Sequence, residues 1–121
     1  MARVLLAEDE AAVREFVRRS LTMQGHAVTA VADGAEALTA LGQAEFDLLL
    51  TDIVMPVMDG IALALKVAKD YPALRILMMT GYAAEQERAH NLHLLVHDVL
   101  AKPFTMVQIG GAVTAALAAP R

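Results

Sequence analysis

Phe46-Asp47-Leu48-Leu49-Leu50-Thr51-Asp52-Ile53-Val54-Met55-Pro56-Val57-Met58-Asp59-Gly60 decides the fold. The run Phe46–Thr51 is apolar with little alternation, as in a strand covered on both faces. It stops at Asp52. Val54 to Gly60 carries Pro and Gly and reads as a loop. A helix is expected from about Asp59 to Asp70. Tyr71-Pro72 ends it, because Pro pushes the preceding residue out of helical geometry. Strand, loop and helix in that order make one βα unit.

The unit recurs on both sides. Upstream, the apolar run Arg3–Ala7 is halted by Glu8-Asp9-Glu10. Val13, Phe16, Val17 and Leu21 then recur at helical spacing between about Glu10 and Met23. Gln24-Gly25-His26 is a turn, with Gly25 suited to end the helix. Ala27–Val31 reads as a strand. Asp33 suits the N-cap of a helix through Leu41, which Gly42 can end. Downstream, Arg75–Met79 reads as a strand and Thr80-Gly81 punctuates it. Ala83 to about Asn91 is helical, Val96–Ala101 is a weak strand ending at Lys102-Pro103, and Phe104 to about Ala118 is the last helix. Five strands alternating with five helices predict right-handed crossovers and a parallel sheet with helices on both faces. Such doubly wound α/β folds bind ligands beyond the carboxyl ends of their strands.

Composition narrows the partners. The chain of 121 residues fits one domain. Ten basic against 14 acidic residues give a net charge of -4, which disfavours nucleic acid or an anionic membrane as main partner. Aromatics at 4% and no Trp weaken base stacking. The absence of Cys removes disulfides, thiolate zinc sites and cysteine nucleophiles. The first apolar run is too short for a signal peptide or a membrane span. No Pro/Gly/Ser-rich linker divides the chain. A single domain over residues 1–121, without an output domain and in the cytoplasm, is therefore expected.

The strand ends carry the chemistry. The first delivers Glu8 and Asp9, the third Asp52, the fourth Thr80 and the fifth Lys102; the second delivers nothing comparable and suits a sheet edge. Three carboxylates against one Lys leave about two negative charges, which raise their own pKa values unless a cation joins them. Oxygen ligands favour a hard ion, Mg²⁺ above all. A carboxylate, a hydroxyl, an ammonium and a divalent ion together suit phosphoryl transfer. The carboxylate can attack phosphorus, and cations neutralise the equatorial oxygens.

Glu8-Asp9, Thr51-Asp52 with Met55–Gly60, Thr80-Gly81-Tyr82-Ala83 and Lys102-Pro103-Phe104 together resemble the signature blocks of bacterial two-component response-regulator receiver domains. The resemblance covers essentially the whole chain in the family's order. It implies a flavodoxin-like (βα)5 fold with strand order 2-1-3-4-5. It implies that Asp52 is the phospho-acceptor and Asp9 a direct Mg²⁺ ligand. Glu8 would act through water, and Val54 would lend its backbone carbonyl. Thr80 and Lys102 resemble the switch hydroxyl and the phosphate-binding lysine, and Pro103 would follow a cis peptide. The implied donor is a histidine kinase or histidine phosphotransferase. Beyond promoting its own phosphorylation and dephosphorylation, such a chain is not an enzyme.

Leu5–Asp9, Asp33–Leu38, Met58–Leu65, Met79–Ala83 and His97-Asp98-Val99 add a resemblance to stand-alone alphaproteobacterial receivers. These act, unphosphorylated, as adaptors for a ClpXP-type protease, which implies a ClpX-type unfoldase as partner. A phosphorelay shuttle, a phosphate sink and an ordinary phospho-activated receiver are the alternatives. The chain departs from many receivers at Val99, where an aromatic usually couples to the Thr; Tyr82 is the nearest aromatic substitute.

Other readings fall to particular residues. An aspartyl phosphatase needs a second Asp two residues after the nucleophile, and Val54 stands there. A flavodoxin needs a Gly- and hydroxyl-rich loop where this chain has acids. His90, His93 and His97 read as surface or loop residues rather than a zinc site. Lys102 reads as a site residue rather than a surface partner of Asp98. Arg14, Arg18 and Arg19 read as a solvated face, with docking of an acidic phosphodonor as the alternative. Gly110-Gly111 reads as local drift in the last helix, with close approach of a partner backbone as the alternative.

Overall fold

The computed structural model describes residues 2–119. The elements run β1 (Arg3–Ala7), α1 (Ala11–Met23), β2 (Ala27–Val31), α2 (Gly34–Leu41), β3 (Leu48–Asp52), α3 (Gly60–Asp70), β4 (Arg75–Thr80), α4 (Ala83–His90), β5 (Asp98–Ala101) and α5 (Met106–Ala118). All strand pairs are parallel, in the order β2-β1-β3-β4-β5. The expected doubly wound fold and strand order are borne out, with β2 at an edge.

Alternation along each central strand sorts its side chains between two cores. Leu5, Leu49, Ile76 and Met78 pack with Leu63 and Val67 of α3, Ala37 and Leu41 of α2, and Ala89 of α4. Val4, Leu6, Leu48, Leu50, Leu77 and Met79 pack on the other face with Val17 and Leu21 of α1 and with Ile109 and Val113 of α5. Every residue of β3 is buried. Because both faces are covered, the strand needs apolar residues at consecutive positions, which explains the Leu48-Leu49-Leu50 run. Truncating one of these leucines to Ala costs about 2–5 kcal/mol.

Local chemistry sets the boundaries. Asp33 and Asp59 cap α2 and α3, their carboxylates accepting from the backbone N–H of Glu36 and Ala62 at 2.9 and 2.8 Å. Gly25, at φ +93°, takes the left-handed conformation after α1. Gly60 is fixed by close approach: a Cβ there would lie 2.1 Å from the carbonyl oxygen of Asp52. The start of α3 thus rests directly on the end of β3.

Several boundaries differ from expectation, and β3 and β4 each run one residue further, to Asp52 and Thr80. β3 begins at Leu48, two residues late, because the Asp47 carboxylate instead accepts the N–H of Arg3 at 2.8 Å. β5 begins at Asp98 rather than Val96, since the N–H of Val96 turns back to the carbonyl of Leu92 at 3.0 Å. α5 begins at Met106 because Thr105 and Gln108 form a reciprocal capping box. A Cβ at Gly110 would meet only the amide end of the exposed Gln24 side chain, which can swing aside, and Gly111 faces open space, so neither glycine is required by its surroundings.

Candidate functional site

The carboxyl ends of β1, β3 and β5 converge on an open mouth of about 380 Å³. Its lining includes Asp9, Asp52, Val54, Tyr82, Lys102 and Pro103. Carboxylate oxygens of Glu8, Asp9 and Asp52 lie within 4.8 Å of one another. Asp9 is exposed, while Glu8 and Asp52 are buried. The parallel register explains the gathering, since Ala7 pairs with Thr51 and each strand's next residue emerges at one rim.

Asp52 is held at both oxygens. Its Oδ1 accepts the N–H of Ile53 at 2.8 Å, and its Oδ2 accepts from Nζ of Lys102 at 2.9 Å. The same ammonium also pairs with Oε1 of Glu8. Lys102 therefore bridges two carboxylates and is no surface partner of Asp98, whose Oδ1 instead accepts the N–H of Val99 at 2.8 Å. The Lys102–Pro103 peptide is cis.

Glu8 is fully buried, and its Oε2 has no hydrogen-bond partner among the described residues. Burial, with Asp52 beside it, pushes its pKa up to about 8 against the pull of Lys102. Burial alone would lower Lys102, but the carboxylates of Glu8 and Asp52 outweigh it and hold the ammonium above its ordinary value. An orphaned carboxylate oxygen beside two further carboxylates is a donor set for a hard divalent cation.

Thr80 ends β4 and is buried like Glu8 and Asp52, and its Oγ1 accepts the N–H of Tyr82 at 3.2 Å. Its backbone carbonyl accepts the N–H of Lys102 at 2.8 Å, which ties the fourth and fifth strand ends together. Tyr82 itself is 62% exposed at the start of α4. Val99 is half-buried in β5 and packs toward the core that holds Ala89 of α4.

Two groups of charged residues separate here. Among the described residues the histidines of the α4–β5 region are not gathered as metal ligands would be, whereas the oxygens of Glu8, Asp9 and Asp52 are close enough to share one ion. Arg18 and Arg19 pair with Glu15 on the surface of α1. Arg14 does not belong with them. Its guanidinium turns to the site and donates to the carbonyl oxygen of Glu8 at 2.8 Å. Helical periodicity places all three arginines on α1 and says nothing of which one reaches back to the loop.

Comparison with known proteins agrees with this geometry. The response regulator receiver domain family matches residues 4–114. The chain is 43% identical over 104 residues to the response regulator receiver protein CpdR of Brucella abortus (strain 2308), covering 86% of this chain and 87% of that one. It spans about half the length, 47%, of several other curated relatives. Among solved structures, the chemotaxis response regulator CheY4 of Vibrio cholerae superposes with a TM-score of 0.88 at 30% identity, over 96% of this chain and 98% of that one. TrrA of Thermotoga maritima, solved in complex with Mg²⁺-BeF, superposes at 0.85 with 25% identity, over 95% and 98%.

Proposed function

Because the chain belongs to the response-regulator receiver domain family, we propose that Asp52 accepts a phosphoryl group from a phosphohistidine donor, a histidine kinase or histidine phosphotransferase. The observation that carries this reading is the contact of Lys102 with Asp52 at 2.9 Å, inside a cluster that also gathers Glu8 and Asp9. In the transfer, a P–O bond forms to an Asp52 oxygen as the P–N bond to the donor imidazole breaks, and the imidazole leaves with the electron pair. Lys102 holds the acceptor carboxylate and follows charge onto the phosphoryl oxygens. Bound Mg²⁺ would supply charge neutralisation there, held by Asp9, Asp52, the Val54 carbonyl and, through water, Glu8. Oδ1 of Asp52 stays anchored by the N–H of Ile53, which leaves Oδ2 as the oxygen presented to phosphorus. The hydroxyl of Thr80 then leaves the N–H of Tyr82 for the phosphoryl group, which shifts the α4–β5–α5 surface.

The likeness to CpdR over most of both chains favours an adaptor reading of that surface. In it, the unphosphorylated chain binds a ClpX-type unfoldase and phosphorylation releases it.

The test of the transfer is acetyl phosphate labelling followed by mass spectrometry. Labelling is expected on Asp52, dependent on Mg²⁺, absent in Asp52→Asn and nearly absent in Asp9→Ala. Labelling that survives EDTA, or persists in Asp52→Asn, overturns the reading.

A further inference from the structure

The turn from β1 into α1 must aim two adjacent carboxylates, Glu8 and Asp9, into the same mouth. Little in the turn itself does this. Glu10, at the N-cap of α1, makes no side-chain cap, and the first turn of the helix carries no acid. On the sheet side, the N–H of Glu8 is tied to the carbonyl of Val31 at 3.0 Å. On the helix side, the only side-chain tether among the described residues is Arg14. One guanidinium nitrogen donates to the Glu8 carbonyl at 2.8 Å and reaches the Asp9 carbonyl at 3.5 Å. Arg14 is half-buried and forms no ion pair among the described residues, whereas Arg18 and Arg19 both pair with Glu15.

We infer that Arg14 is a positioning residue: by gripping the backbone carbonyls of Glu8 and Asp9, it orients their carboxylates for the divalent cation. A guanidinium suits this task, because the one nitrogen that reaches the turn carries two hydrogens, one for the Glu8 carbonyl and one directed toward the more distant Asp9 carbonyl. The inference rests on the Mg²⁺ reading of the cluster.

Electrostatics and positioning predict opposite signs. A cation near a Mg²⁺ site repels the ion, so removing its charge alone tightens binding. Removing a group that orients the ligands loosens it, by about tenfold in comparable outer-shell substitutions.

The experiment is a Mg²⁺ titration without phosphodonor at fixed ionic strength, followed by the amide NMR shifts of Glu8, Asp9 and Asp52. Urea unfolding in EDTA reports stability separately. Arg14→Met is expected to weaken Mg²⁺ binding about tenfold, with Arg14→Lys in between. Arg19→Met, which removes a charge from the same helix without touching the turn, is expected to bind as wild type or slightly tighter. Arg14→Gln supplies the same comparison should the methionine variant not fold. Mg²⁺ binding by the Arg14 variants as tight as wild type, or tighter, overturns the inference. A wild-type protein that binds no Mg²⁺ overturns the cation reading beneath it.

Discussion

Nζ of Lys102 lies 2.9 Å from Oδ2 of Asp52 across 50 positions of sequence, and the same ammonium pairs with Glu8. One cation thus occupies the space between two buried carboxylates. Removing one partner from a buried ionic group is costly, because the remaining charges lose their compensation.

Lys102→Met is therefore expected to lose about 2 kcal/mol of stability at pH 7 in EDTA, less than the full 3–5 kcal/mol of a broken buried pair because a carboxylate can protonate instead. Mg²⁺ should bind this variant more tightly than wild type, since the competing ammonium is gone, while beryllofluoride on Asp52 should be held less well. Urea unfolding with and without Mg²⁺ measures the first effect. Equal stabilisation of variant and wild type by Mg²⁺ contradicts it.

Glu8 sets a pH dependence. Its folded pKa, about 8, lies above the ordinary 4.5, so the folded state holds a proton that the unfolded chain releases across this range. The stabilising contribution is complete below about pH 4.5 and is lost as pH rises toward 8. In EDTA, this residue should lower stability on the order of a few kcal/mol over that interval. Glu8→Gln should flatten the dependence, and Mg²⁺ should offset it by favouring the ionised form. Thermal unfolding at pH 5, 6.5 and 8 reads all three conditions. A wild-type slope unchanged by Glu8→Gln assigns the dependence to another group.

These two effects show where sequence reading reached and where it stopped. Strand ends are legible because an apolar run halted by a charged or polar residue marks both the strand and its rim, as at Ala7-Glu8, Thr51-Asp52 and Ala101-Lys102. Parallel register then does the gathering without further information. Side-chain depth is not legible that way. Glu8 and Asp9 are neighbouring acids just past the end of β1 and converge on one cluster, yet one is fully buried and the other exposed. Arg14 reads as surface because its spacing matches its neighbours; its long side chain, not its helical position, brings it to the loop. The start of α5 was legible in Thr105-x-x-Gln108, a capping-box pattern that the apolar Phe104 obscured.

Val57 adds a prediction of opposite sign. It lies in the loop after β3 at φ 69°, a left-handed conformation that a β-branched residue adopts only with strain, and its side chain is 83% exposed. Asn tolerates this region. Val57→Asn should stabilise the protein by about 1 kcal/mol, seen as a higher urea midpoint at unchanged slope. A lower midpoint means that the valine makes contacts worth more than the backbone strain.

The adaptor reading predicts the polarity of the switch. If the unphosphorylated surface is the one that binds, Asp52→Ala should bind the amino-terminal region of a ClpX-type unfoldase as wild type does and no longer respond to beryllofluoride. Wild type with Mg²⁺ and beryllofluoride should bind more weakly. The loss should be partial. Complete inversion of a 1:99 equilibrium needs about 5.5 kcal/mol of differential stabilisation. Val99 offers no aromatic ring to be locked when the hydroxyl of Thr80 moves, which removes one source of that difference. A several-fold rather than hundredfold weakening is expected by isothermal titration, and Val99→Tyr should enlarge it. Stronger binding with beryllofluoride, abolished in Asp52→Ala, reverses the polarity and makes the chain an ordinary phospho-activated receiver.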